Sequence, residues 1–400
     1  MTQISDVGRQ SDGDDVTTDE PVPVVEDLSG YILGGRADPA FGVAQAVEAE
    51  RLGLRRVWVN ERLDLKNAGV LLGAIGASTS RLGAGVMPMT SLARSPIVTA
   101  SIGSTLHNAF GPRFTLGLGR GATDEWVEAF GVGEASYSEL VDYANVVKGL
   151  LRGEEVTYEG SFASYRNVSV IDAYDGPPPE IWFATLGGPK SSRVAAQTAF
   201  DGTMLTPLMT VDAVARSVEE TRRECERIGR DPATLRICAG VAAAPPPPSH
   251  IDVSNLPASM TNPAYGNGLV TPAVLKGVIA LTCTEYTGYL RRNGWDTALM
   301  DRIVGHSAFQ SGAELSSTDR ISRDRTKFQE AGDLVPDSWL RDCALVGSID
   351  DCVQTLQSFR DAGADEIALY FATPAQCADL IAAWRDHQTA AASQPGSAGC

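Results

Sequence analysis

No CxxC pair occurs in this 400-residue chain, and its seven cysteines, at 225, 238, 283, 343, 352, 377 and 400, are odd in number. Both facts argue against a disulfide framework and against a zinc site, and they point to a reducing compartment, the cytoplasm. No HExxH, GxSxG or P-loop string is present, so zinc peptidase, serine hydrolase and P-loop nucleotide chemistry have no motif to stand on. Basic residues are also short. Thirty-three Lys and Arg against 50 Asp and Glu give a net charge of −17, which repels a nucleic-acid backbone or an anionic membrane. An anionic cofactor would need a locally favourable pocket. No apolar run reaches membrane-spanning length, and residues 1–27 are polar and acidic without the basic start and apolar centre of a signal peptide. They are expected to form a disordered acidic tail, with residues 388–400 a flexible tail at the other end.

What is present is a globular balance, 43% hydrophobic and 21% charged, sufficient for one large core. From Tyr31 onward, short apolar runs alternate with segments of helical period, the pattern of parallel strands joined by helical crossovers. Strands are expected at 31–35, 55–60, 82–87, 113–118, 180–184, 201–205, 235–242 and 366–371. Helices are expected at 39–53, 66–79, 95–109, 137–151, 190–199, 211–228 and 350–362. Asp38-Pro39 opens the first helix and Gly53 stops it. Eight such units close a (β/α)8 barrel; a doubly wound open sheet is the competing arrangement, because strand count alone does not separate the two.

Two stretches interrupt the alternation. Residues 153–179 contain the hairpin-like strings EEVTYEG and SFASYRNV followed by PPP, and residues 243–342 run from Pro245–Pro248 through AYGNG into mostly helical sequence. Both are read as insertions on the loop side of a single domain spanning 28–387, where they would form substrate walls or a lid.

Four strings, taken in order, resemble the luciferase-like monooxygenase superfamily, especially its coenzyme F420-dependent oxidoreductase branch. They are RLGLRRVWVNERLD with AIGASTSRLGAGVMPM (51–64 and 74–89), SPIVTASIGSTLHNAFGPRFTLGLGRG (95–121), GPPPEIWFATLGGPKSSRVAAQTAFDGTM (176–204) and LVGSIDDCVQTLQSFRDAGADEIAL (345–369). The resemblance implies a TIM barrel of the bacterial luciferase-like type, with the active site at the C-terminal mouth. It also implies coenzyme F420 as cofactor, with FMN the alternative, and a homodimer.

Site residues follow from the same strings. Gly119, Arg120 and Gly121 end the fourth strand, and Gly187 and Gly188 precede a helix beginning near Lys190, a setting that offers free N–H groups to the cofactor's phosphate. Lys190 and Ser191 are further helpers there, or solvated first-turn residues. Gly85 and Val86 lie where similar enzymes carry a bulge with a non-proline cis peptide behind the ring system; the alternative is that Gly85 is a small barrel-interior residue. Glu61 and Arg62 follow the second strand, where F420-dependent relatives often carry an Asp-His pair. Arginine cannot serve as a base, so proton transfer would fall to Glu61 or another residue, while Arg62 would stabilise negative charge or bind the cofactor. The sugar-phosphate dehydrogenases of the family carry a Trp and a Glu where this chain has approximately Lys66 and Ala122, and both departures count against glucose 6-phosphate. His107, Trp58, Trp182 and Phe183 are read as packing residues, and His306 as a surface or packing residue.

The expected function is hydride transfer between F420 and a small organic substrate. An FMN-dependent monooxygenase fed by a separate reductase, and a non-catalytic cofactor-binding barrel, are the other readings.

Overall fold

The computed structural model describes residues 22–32, 39–61, 63, 66–121, 131–133, 135–249, 269–310 and 325–393. Eight parallel strands close on themselves: β1 (Val25–Ile32), β2 (Leu54–Val59), β3 (Gly83–Thr90), β4 (Phe114–Gly119), β7 (Glu180–Thr185), β8 (Gly202–Leu205), β9 (Arg236–Ala243) and β11 (Glu366–Tyr370). The pairings of β11 with β1 and of β8 with β9 complete the ring, so the open-sheet alternative is excluded. Between β4 and β7 stands the expected hairpin, β5 (Val156–Glu159) with β6 (Ser164–Val168). Two-residue β10 (Ala344–Leu345) adds to the edge of β9.

The strands read as continuous apolar runs because both faces are covered, one by the barrel interior and one by the helices. The outer helices include α1 (Pro39–Arg51), α2 (Ala68–Ser78), α3 (Pro96–Phe110), α4 (Tyr137–Leu151), α5 (Pro189–Ala195) and α6 (Val211–Arg227). Local chemistry sets their limits. Ser136 and Glu139 form a reciprocal capping box that starts α4 at the expected residue, and Gly53, at φ +78°, turns the chain out of α1 into β2. The second insertion is helical where described: α7 (Pro272–Glu285), α8 (Thr287–Leu290), α9 (Thr297–Val304), α10 (Ser307–Gln310), α11 (Arg325–Asp333) and α12 (Asp337–Cys343). Then α13 (Ile349–Asp361) leads to β11, and α14 (Ala378–Ala392) packs back against the barrel.

The first strand departs from expectation. It begins at Val25, taking in three residues assigned to the acidic tail, and ends at Ile32; residues 33–35 lie outside the described residues. Its polar residues disguised it. Asp27 is buried, accepts bonds from Trp384 Nε1 (3.2 Å) and Gln388 Nε2 (2.7 Å), and pairs with Arg360 (2.9 Å), all from the far end of the chain.

Inside the barrel, Trp58 and Trp182 meet with ring centroids 4.9 Å apart, and the neighbouring strand gives way to each. Gly85 is in register with Trp58, and Gly202 with Trp182; a Cβ at either glycine would stand 2.5 or 2.3 Å from the indole. At the strands' N-terminal end, Arg56 lies over both indoles (5.2 and 5.1 Å) and, with Arg236, faces the fully buried Glu366. Charge thus fills the N-terminal end of the barrel interior.

Candidate active site at the C-terminal mouth

At the end of β2 the inward series Arg56, Trp58 continues to Asn60 by the two-residue period of a strand, and Glu61 follows. The Glu61 side chain is 2% exposed, and its Oε1 accepts from Arg94 Nη2 at 2.6 Å. Arg94 sits in the turn between β3 and α3, and its carbonyl accepts from Tyr143 Oη at 3.2 Å, with Thr99 Oγ1 2.7 Å from the same phenol. Burial pushes the Tyr143 hydroxyl up to about 12, so it remains a proton donor. Four buried atoms of these two connections lack a hydrogen-bond partner among the described residues: Asn60 Oδ1, Glu61 Oε2, Ser91 Oγ and Arg94 Nη1. An unmet buried polar group costs about 1–3 kcal/mol, more when charged, so four of them on two neighbouring strand-end connections make this a candidate ligand site; the unmet Arg55 Nε, Arg56 Nε and Glu366 Oε1 at the other end of the barrel belong instead to the ion pairs there.

The β3 bulge is present but displaced. Register with β4 shifts between Val86 and Met89, and the cis peptide there is Met87-Pro88, an ordinary X-Pro bond. Gly85 is in the barrel interior making room for Trp58, and Val86 belongs to the packing outside the barrel. The interior-packing reading of Gly85 therefore holds, and the non-proline cis peptide at Gly85-Val86 does not. Tyr31 Oη donates to the Met87 carbonyl beside the bulge, and its ring lies 3.8 Å from that of Tyr370 at the end of β11. Burial raises both phenols, Tyr370 to about 12, which leaves them neutral at ordinary pH.

On the adjoining strand β4, Gly119 packs against Pro88, Arg120 lies over the Tyr137 ring (4.5 Å) and donates from Nε to the Ala135 carbonyl (2.7 Å), and Gly121 has φ +127°. Gly187 and Gly188 turn from β7 into α5 at φ +74° and +97°. A Cβ at Gly188 would stand 3.1 Å from Arg292 Nη1, so the second insertion brings a guanidinium against this loop. Arg292 also pairs with Glu220 at 3.2 Å. Lys190 is exposed and Ser191 is buried against the Tyr137 hydroxyl (3.3 Å). Arg62 and Ala122 lie outside the described residues.

The structure brings Glu61, Gly119, Arg120, Gly121, Gly187 and Gly188 to the C-terminal ends of their strands, and it sets beside them Arg94 and Arg292, to which no sequence string pointed. No spacing rule could join Arg94 to Glu61, because the contact forms only when β2 and β3 pair. His107 is structural: Nδ1 is 3.1 Å from the Pro177 carbonyl, and Nε2 accepts from Phe114 N at 3.2 Å. A polar cavity of about 470 Å³ lies at the other end, by Lys148, Glu180, Asp201 and Arg236. It sits at the strands' N-terminal side, and Lys148 and Asp201 already pair there at 2.6 Å.

Three comparisons bear on the family and the fold. The chain is 30% identical over 176 residues to the F420-dependent glucose-6-phosphate dehydrogenase of Microbacterium testaceum, a match covering 40% of this chain and 49% of that protein. The chain therefore spans about half the length of that relative. By structure it superposes on the coenzyme F420-dependent tetrahydromethanopterin reductase of Methanopyrus kandleri with a TM-score of 0.67 at 17% identity, covering 87% of this chain and 93% of the other. It also superposes on the oxygenating constituent of 3,6-diketocamphane monooxygenase from Pseudomonas putida, in complex with FMN, with a TM-score of 0.55 at 15% identity, covering 89% and 96%. The family model described as luciferase-like monooxygenase matches residues 25–366, from the first barrel strand to the start of the last, and the chain belongs to that family.

Proposed function

We propose that the protein is an oxidoreductase that transfers a hydride between coenzyme F420 and a small organic substrate at the C-terminal mouth of the barrel. The observation that carries this reading is the buried Glu61–Arg94 pair, with Oε2 and Nη1 left unmet at the strand ends. The deazaflavin, when bound, supplies hydride donation or acceptance at C5. The chain's residues do the rest. Glu61 Oε2 is free to take or return a proton; Gly119, Arg120, Gly121, Gly187 and Gly188, with Lys190, form the side offered to the cofactor's phosphate; and the neutral Tyr31 and Tyr370 wall the centre. Arg292 adds a cation beside Gly188.

FMN stays as the second cofactor because unmet donors and acceptors of this kind suit either ring system; that reading makes the protein a monooxygenase supplied by a separate reductase. A reducing compartment, the cytoplasm, fits the six free cysteines among the described residues. Titration with F420 and, in parallel, FMN, followed by fluorescence, tests the assignment. Tight binding of F420 alone supports hydride transfer, preference for FMN moves the search to oxygen-dependent oxidation, and binding of neither removes the reading. Tight binding without turnover of any compound in an alcohol, aldehyde and enoyl screen would favour a non-catalytic barrel.

A further inference from the structure

We propose that Arg94 binds the cofactor ring, its Nη1 donating to a carbonyl oxygen on the pyrimidinedione edge that F420 and FMN share. This rests on the cofactor assignment above and names a residue outside the family-like strings that suggested it. The argument starts from the guanidinium fork. One nitrogen, Nη2, is used by Glu61 Oε1 at 2.6 Å, while Nη1 is buried with no partner among the described residues. A guanidinium cannot shed its proton to escape that situation, so the N–H needs an acceptor. The nature of the acceptor follows from charge. Because Glu61 already neutralises the arginine, a phosphate would bring a second negative charge against Glu61 Oε2; a neutral carbonyl brings none.

Position supports the ring over the substrate. Arg94 is held from both sides, its carbonyl by Tyr143 Oη at 3.2 Å and its guanidinium by Glu61, and it closes the short 3-10 turn Ser91–Ala93 that follows the bulged strand β3. A donor fixed so firmly suits the ligand that is the same in every turnover. The glycine loops offered to the phosphate lie on β4 and β7, so ring and phosphate fall on different strands of one mouth. A cationic N–H on a ring carbonyl also favours the electron-rich reduced form, which makes Arg94 a determinant of the bound cofactor's potential.

Arg94→Lys is the decisive variant, since lysine keeps a cation for Glu61 Oε1 and loses the fork. The wild type, Arg94→Lys and Glu61→Gln are titrated with F420 and FMN by fluorescence, and the midpoint potential of the bound cofactor is measured for each. Loss of one charge-assisted hydrogen bond predicts roughly tenfold weaker binding for Arg94→Lys and a lower potential, with Glu61→Gln affected less. Arg94→Met leaves the Glu61 carboxylate buried without its partner; if it fails to fold, the paired variant Glu61→Gln/Arg94→Met carries neither charge and should show the same loss of affinity. Wild-type binding with Arg94→Lys within twofold of it, and an unmoved potential, overturns the role of Arg94. A wild type that binds neither cofactor overturns instead the assignment on which it rests.

Discussion

Glu61 and Arg94 stand 33 residues apart in the chain and 2.6 Å apart in the fold, and most of the chemistry proposed for the site depends on that one contact. Glu61→Gln preserves shape and one hydrogen bond but removes the proton acceptor, so turnover of a substrate found by screening should fall by roughly 10²-fold, as for loss of a general acid or base, with cofactor affinity nearly unchanged. Steady-state rates beside a fluorescence titration check this; unchanged turnover would sink the catalytic assignment. Gly85 makes a purely steric prediction. A side chain there meets Trp58 at 2.5 Å from the first carbon onward, and Gly85→Val should lower stability by at least about 1–3 kcal/mol in denaturant unfolding. His107 predicts a pH effect. Burial lowers its pKa from the ordinary 6.5, so the unfolded chain binds the proton first as acid is added. Its contribution is complete above about pH 6.5 and is lost as pH falls below that value. His107→Gln should therefore flatten the decline in unfolding midpoint between about pH 6.5 and 5; an identical decline in both proteins would remove His107 as its source.

Among the elements, those written by local chemistry were the most legible. Helix α4 occupies the expected residues because its capping box and apolar period are both local, and the β5–β6 hairpin appears inside its expected strings. Strand β1 was misplaced because Asp27 and Ser29 look like loop residues until α13 and α14 are packed beside them. The bulge in β3 was foreseen but set too early, since the sequence does not reveal the register with β4. The turn from β7 to α5 carries its own prediction. Gly188 combines φ +97° with Arg292 at 3.1 Å, so Gly188→Val should displace the guanidinium and weaken cofactor binding by at least about tenfold. Binding that survives in a protein with native circular dichroism would show that the phosphate lies elsewhere.

At the scale of the whole molecule, charge is the organising fact. With a net −17, two copies repel over most of their surfaces, yet α2 and α3 contain no Asp, Glu, Lys or Arg in their full lengths. Val70 is 72% and Val98 48% exposed on these adjacent helices, and Gly73 faces open space. A face without charge is where identical acidic chains can meet about a twofold axis, which supports the expected homodimer. Light scattering at micromolar concentration should give twice the 42.3 kDa chain mass, and Val70→Asp, which sets two carboxylates into such an interface, should return the monomer. A wild-type monomer would dispose of the dimer and of this face together. Among the described residues no helix is long and apolar enough to cross a membrane.

The sequence by itself determined the alternation of strands and helices, the glycine turns at the strand ends and the caps of the helices, because each arises from interactions within a few residues. Only the tertiary structure decided that the sheet closes, that Gly85 faces Trp58, that Asp27 lies inside a strand and that Arg94 meets Glu61. Those facts depend on register between strands and on which strand ends become neighbours, and both are set by closure of the whole barrel.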